Sequence, residues 1–66
     1  MLYAEWSGKT ATIYNERRKM IHRFTLDHDV VGVQVSGDDP RYAQVAIAMS
    51  NGRTRLCQTN GKVLRF

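Results

Sequence analysis

The side chains that could do chemistry fall into a few short clusters. Glu16-Arg17-Arg18-Lys19, followed by His22 and Arg23, holds the densest charge in the chain. Arg53, Arg55, Lys62 and Arg65 make a second basic group. Cations grouped in this way attract phosphates, which they neutralise with release of counterions. In a strand, Arg53 and Arg55 share a face because side chains alternate. Tyr3, Trp6 and Tyr14 are rings of the kind on which unpaired bases stack, although no two occupy adjacent same-face positions of one strand.

The other polar groups fit structural roles better than catalytic ones. Asp27-His28-Asp29 offers carboxylate and imidazole, but consecutive side chains diverge, and aspartates in a tight corner satisfy backbone N–H groups. His22 alternates with Met20 and Phe24, which suits a half-buried, hydrogen-bonded imidazole. Asp38 and Asp39 precede Pro40 in a turn that offers too few oxygens to hold a cation. Cys57, the only cysteine, follows Leu56 with no base nearby in sequence, as a small packing residue would. Two histidines and one cysteine are a poor ligand set for structural zinc. There is no phosphate-cradling glycine loop and no serine–histidine–aspartate signature. The expectation is a protein with no catalytic residue, no metal site and no cofactor, and not an enzyme.

The elements carrying these groups read as strands. Apolar residues alternate instead of recurring every three or four positions. Ala11 and Ile13 oppose Thr10, Thr12 and Tyr14. Met20, His22, Phe24 and Leu26 oppose Ile21, Arg23 and Thr25. Val31, Val33 and Val35 alternate with Gly32 and Gln34, and Ala43, Val45, Ile47 and Met49 with Gln44, Ala46 and Ala48. Residues 53–58 and 62–66 complete six runs. Asn51-Gly52 and Asn60-Gly61 are strong hairpin signals because both central residues of a type I′ turn need positive φ. The Pro40 loop cannot lie in a central strand. The reading is all-β: a six-strand antiparallel meander, blade-like or curled into a small barrel. Its core is the stripe of Val31, Val33 and Val35 against Val45, Ile47 and Met49.

Sixty-six residues make a single domain, 1–66. A chain this short buries only about 60% of its unfolded surface, and without a disulfide or metal the remaining stabilising device is a partner subunit. Completion by homo-oligomerisation is therefore expected. The formal charge of +4 favours acidic partners. The opening MLYAEWSG lacks a basic start and a long apolar stretch, unlike a signal peptide. The longest apolar run, Val45 to Met49, is far short of the roughly 20 residues that span a bilayer. A cytoplasmic protein with no membrane contact is expected.

The chain also repeats itself. A shift of 43 residues lays Ser7 on Ser50, Ile13 on Leu56, Lys19 on Lys62 and Ile21 on Leu64. A period of 40–45 residues with four strands is that of a propeller blade. The segment Val30 to Phe66, VVGVQVSGDD through SNGRTRLCQTNGKVLRF, resembles a single β-propeller blade of the WD or a similar type in strand rhythm and turn placement, without the Gly-His and Trp-Asp markers. The resemblance implies exposed edges and one uncovered face, and hence association of several chains.

Two functional readings stay open. The first is a non-catalytic binding or assembly module, a homo-oligomer built on its sheets, with a protein partner and an interface at Ala46, Ala48, Trp6 and Tyr14. Small outward residues such as Ala46 and Ala48 admit a second sheet at close range. The second is a small basic nucleic-acid binder using the 16–23 and 53–65 hairpins, with Arg17, Arg18, Lys19, Arg23, Arg53 and Arg55 on phosphates.

Overall fold

A computed structural model describes residues 1–65. It is all-β, with seven strands: β1 Leu2–Ser7, β2 Thr10–Asn15, β3 Met20–Thr25, β4 Val30–Ser36, β5 Gln44–Met49, β6 Thr54–Gln58 and β7 Val63–Arg65. The six-strand single meander is thus corrected in two respects. β1 is an additional strand, and the strands form two antiparallel sheets, β1-β2-β3 and β4-β5-β6-β7. Ala4 and Glu5 are weak strand formers, so β1 comes from its pairing with β2 along the whole element, from Leu2 on Asn15 to Ser7 on Thr10. The C-terminal run expected over 62–66 appears as β7, and Phe66 lies outside the described residues.

Turn chemistry sets the hairpins. Gly8, Gly52 and Gly61 adopt φ of 56°, 86° and 93°, where a Cβ is disfavoured. Asn15, Asn51 and Asn60 each accept, through Oδ1, a hydrogen bond from the backbone N–H two residues ahead, at 2.9–3.0 Å. Asn15 Oδ1 also accepts from Lys19 N–H at 3.1 Å, closing the loop that carries Arg17, Arg18 and Lys19.

The two sheets share one core. Ile13, Val45, Ile47 and Cys57 are its largest fully enclosed side chains, joined by Leu2, Ala11, Phe24, Leu26 and Met49. The inner face of each sheet is therefore covered by the other within one chain, and the outer face of each is left open. β1 runs beside β4, and Val30 N–H donates to Gly8 O at 2.8 Å to tie them at one end. At the other end His22 of β3 lies against Gly61 in the β6–β7 turn, and its ring meets Phe24 edge-on at 4.6 Å.

One core expectation is corrected. Val31 is 61% exposed while Val30 is buried. The β4–β5 register shifts between Val30 and Gly32, so Val31 is the extra residue of a bulge and the alternation slips there by one. Val33 and Val35 keep their places against the core. No helix among the described residues is long and apolar enough to cross a membrane.

The repeat seen in the sequence is also a repeat of register. Ile13 pairs with His22 and Tyr14 with Met20; Leu56 pairs with Arg65 and Cys57 with Val63. Each member of the second set is 43 residues beyond its counterpart, and the β-irregularity falls between the same two positions, Ile13/Tyr14 and Leu56/Cys57. In the preceding strand the offset is one residue shorter, 42, and Ala4 opposes Ile13 as Ala46 opposes Leu56. β1-β2-β3 and β5-β6-β7 are thus two versions of one three-stranded unit, and β4 is added to the second.

Candidate functional site

With both inner faces spent on the core, chemistry is left to two outer faces and two ends. On the three-stranded sheet, pairing lays the outward side chains in rows. Tyr3 opposes Tyr14; Glu5, Thr12 and Arg23 form the next row; Ser7, Thr10 and Thr25 the next. The Tyr3 and Tyr14 rings stack at 5.4 Å with 22° between planes. Beside them is a concavity of about 260 Å³ bordered by Trp6, Tyr14, Glu5 and Arg23, with Thr12 as its buried floor. Glu5 and Arg23 are exposed, and among the described residues neither side chain makes an ion pair.

The outer face of the four-stranded sheet is unlike it. Its rows are Gly32–Ala48–Thr54, then Gln34–Ala46–Leu56–Arg65, then Ser36–Gln44–Gln58. The only charge in these rows is Arg65 at the edge. A shallow depression of about 360 Å³ lies over Gly32, Ala46 and Ala48, walled by Gln34 and Thr54, and a Cβ added to Gly32 would meet nothing.

The four interface residues expected from sequence therefore divide between these faces. Ala46 and Ala48 line one depression, and Trp6 and Tyr14 border the other. The six expected phosphate contacts divide further. Arg17, Arg18 and Lys19 lie on the exposed β2–β3 loop, where Arg18 has φ of 62° and its N–H donates to Asn15 O at 3.0 Å. Arg23 belongs to the row with Glu5 and Thr12. Arg53 and Arg55 lie at the opposite end, around a cleft of about 170 Å³ lined also by Asp27, His28, Met49 and Asn51. Arg55 opposes Ile47, so its side chain leaves on the core side, and its Nε is fully buried.

Electrostatics mark the ends and not the faces. The Glu16 carboxylate accepts from its own backbone N–H and from the Met1 ammonium at 3.1 Å, which hold its pKa below the ordinary glutamate value. Arg41 donates two side-chain hydrogen bonds to Asp39, at 3.2 and 2.9 Å, lowering the aspartate and raising the arginine. Burial pushes the Cys57 thiol up, away from the reactive thiolate. Asp27, His28 and Asp29 turn the chain between the sheets, where Asp29 O accepts from Ser50 N–H at 2.8 Å. No group of three or more metal-ligating side chains converges among the described residues.

Sequence reasoning did not single out Glu5 and Thr12, because what brings them beside Arg23 is cross-strand pairing in a strand, β1, that the alternation did not reveal. The Tyr3–Tyr14 stack was hidden for the same reason. No family model, no curated protein and no solved structure matches this chain, so the blade resemblance rests on strand rhythm and turn placement.

Proposed function

We propose that the protein is a non-catalytic assembly module of the cytoplasm, a homo-oligomer whose copies meet through the outer faces of their sheets. The observation that carries this reading is the outer face of β4, β5 and β6. Central positions of a solvated sheet face ordinarily hold long polar side chains, whereas here Gly32, Ala46 and Ala48 leave the backbone bare and Leu56 stands beside them, half-buried. Two sheets in contact pack about 10 Å apart with interdigitating side chains, and small residues on one of them leave room for larger ones on the other.

The test is absolute mass in solution by light scattering behind a sizing column, at low and high salt. Association through the uncharged outer face of β4, β5 and β6 persists as salt rises, and Ala48→Arg returns the protein to the mass of one chain. A wild-type mass of one chain at every concentration would reject the reading.

A second reading is favoured by one observation of its own. Arg17, Arg18 and Lys19 are held on a loop closed by four hydrogen bonds, next to the Tyr3–Tyr14 stack at the same end of β2. Such a loop would contact the phosphates of a single-stranded nucleic acid, with bases extending the tyrosine stack. Binding of this kind falls steeply with salt, opposite to the behaviour of the assembly.

A further inference from the structure

The two units of the repeat bury opposite faces. In the first, the row Ala4–Ile13–His22 turns inward, with Ile13 fully enclosed. The equivalent row of the second, Ala46–Leu56–Arg65, turns outward. Conversely, Val45–Cys57–Val63 is inward in the second unit, while its equivalent Tyr3–Tyr14–Met20 is outward in the first. Call the face with Ile13 or Leu56 the front of a unit, and the face with Tyr14 or Cys57 its back. Within the chain, the front of unit one is packed on the back of unit two. The sheets are therefore stacked front to back, like successive plates, and not as mirror halves.

That arrangement leaves one front and one back unused. The unused front belongs to β5-β6-β7, with β4 extending it, and carries Ala46, Ala48 and Leu56; the unused back belongs to β1-β2-β3 and carries Tyr3, Tyr14, Thr12, Glu5 and Arg23. From this, and resting on the assembly reading above, we infer that the partner is a second copy of the chain, docked head to tail with the outer face of its β4–β7 sheet on the outer face of the first copy's β1–β3 sheet. The contact repeats between chains the stacking already made inside one.

Shape agrees with this pairing. Bulk stands on one surface, in the stacked tyrosines, and the other surface is depressed over Gly32, Ala46 and Ala48. Two copies of the alanine face would set depression against depression, over Gly32, Ala46 and Ala48 of each. In the head-to-tail contact Glu5 and Arg23 stay in one row across Thr12, where their opposite charges offset each other, and the surface they meet carries one charge in its rows, Arg65 at the edge. The interface is more polar than the intramolecular core, because Glu5 and Thr12 replace the equivalents Ile47 and Arg55 and Tyr3 replaces Val45. A heterologous contact closes into a ring or runs on as a filament, and never stops at a two-fold dimer.

Two variants separate these geometries. Ala48→Arg blocks the front of unit two, and Arg23→Glu blocks the back of unit one by placing a second carboxylate beside Glu5; both positions lie outside the core. Light scattering at about 1 mM chain detects associations as weak as millimolar. The expected result is an oligomeric wild type, each variant alone at one chain mass of 7.6 kDa, and an equimolar mixture that forms a capped pair at twice that mass. The pair forms because each variant keeps the surface that the other has lost. Variants that stay single when mixed, or one variant that still self-associates, would overturn the head-to-tail contact while leaving assembly standing. A monomeric wild type would reject both. Far-ultraviolet circular dichroism of each variant verifies the fold, and Ala46→Arg replaces Ala48→Arg if that variant does not fold.

Discussion

The β1–β3 unit and the β5–β7 unit have the same register and the same bulge, and they differ in which face is buried. Hydrogen-bond register is a property of the backbone and its turns; burial is decided by which parity carries the branched apolar residues. Ala11 and Ile13 place that parity on the front of the first unit, and Val45, Ile47 and Cys57 place it on the back of the second. A repeated backbone with inverted side-chain parity is what front-to-back stacking requires.

Substitutions at equivalent positions sharpen that contrast. The largest effect is expected at Ile13, which is fully enclosed: Ile13→Ala should destabilise by about 2–5 kcal/mol, read as a lower midpoint in urea. At its equivalent, Leu56→Ala should cost about 1 kcal/mol or less in the single chain. Equal losses at both positions would mean that the front of the second unit is covered even in the monomer.

The two Asn-Gly turns of the second unit provide the next test. Gly52 and Gly61 share positive φ, but a Cβ at Gly61 would lie 2.6 Å from His22 Nε2, whereas at Gly52 it would meet nothing. Gly52→Ala should cost about 1–2 kcal/mol from backbone strain alone. Gly61→Ala should lower the thermal midpoint further because the imidazole must move, and His22→Ala should remove the excess. A smaller effect follows from Asn15→Ala, which removes an acceptor of two loop N–H bonds, about 1 kcal/mol.

The smallest effect is one of pH. Glu16 is held below its ordinary 4.5 by its own backbone N–H and the Met1 ammonium. Its folded pKa is depressed, so its contribution is complete above 4.5 and disappears as pH falls through the lower folded value. Both partners are exposed, so the change should register in the Glu16 side-chain NMR shifts while the melting temperature hardly moves.

Much of this was legible in the residues. Alternation revealed six of the seven strands, the Asn-Gly pairs their turns, and the 43-residue echo a unit whose register repeats at that offset in β2–β3 and β6–β7. β1 escaped because Ala4 and Glu5 dilute its pattern, and the split into two sheets escaped because Leu26–Asp29 reads like any other corner. Val31 was misplaced because a bulge leaves no mark in an alternating run. The site was less legible: Glu5, Thr12 and Arg23 are brought together only by lateral pairing, and Arg53 and Arg17 are separated to opposite ends only by the course of the meander.

Every hydrogen-bonded strand neighbour in this protein is also a neighbour in sequence, and the longest connection between strands is the segment 37–43. Loop closure is therefore inexpensive at each step, and each hairpin can form before any distant part of the chain arrives. For an all-β chain that implies rapid folding, with sheet docking as the one event that needs both units.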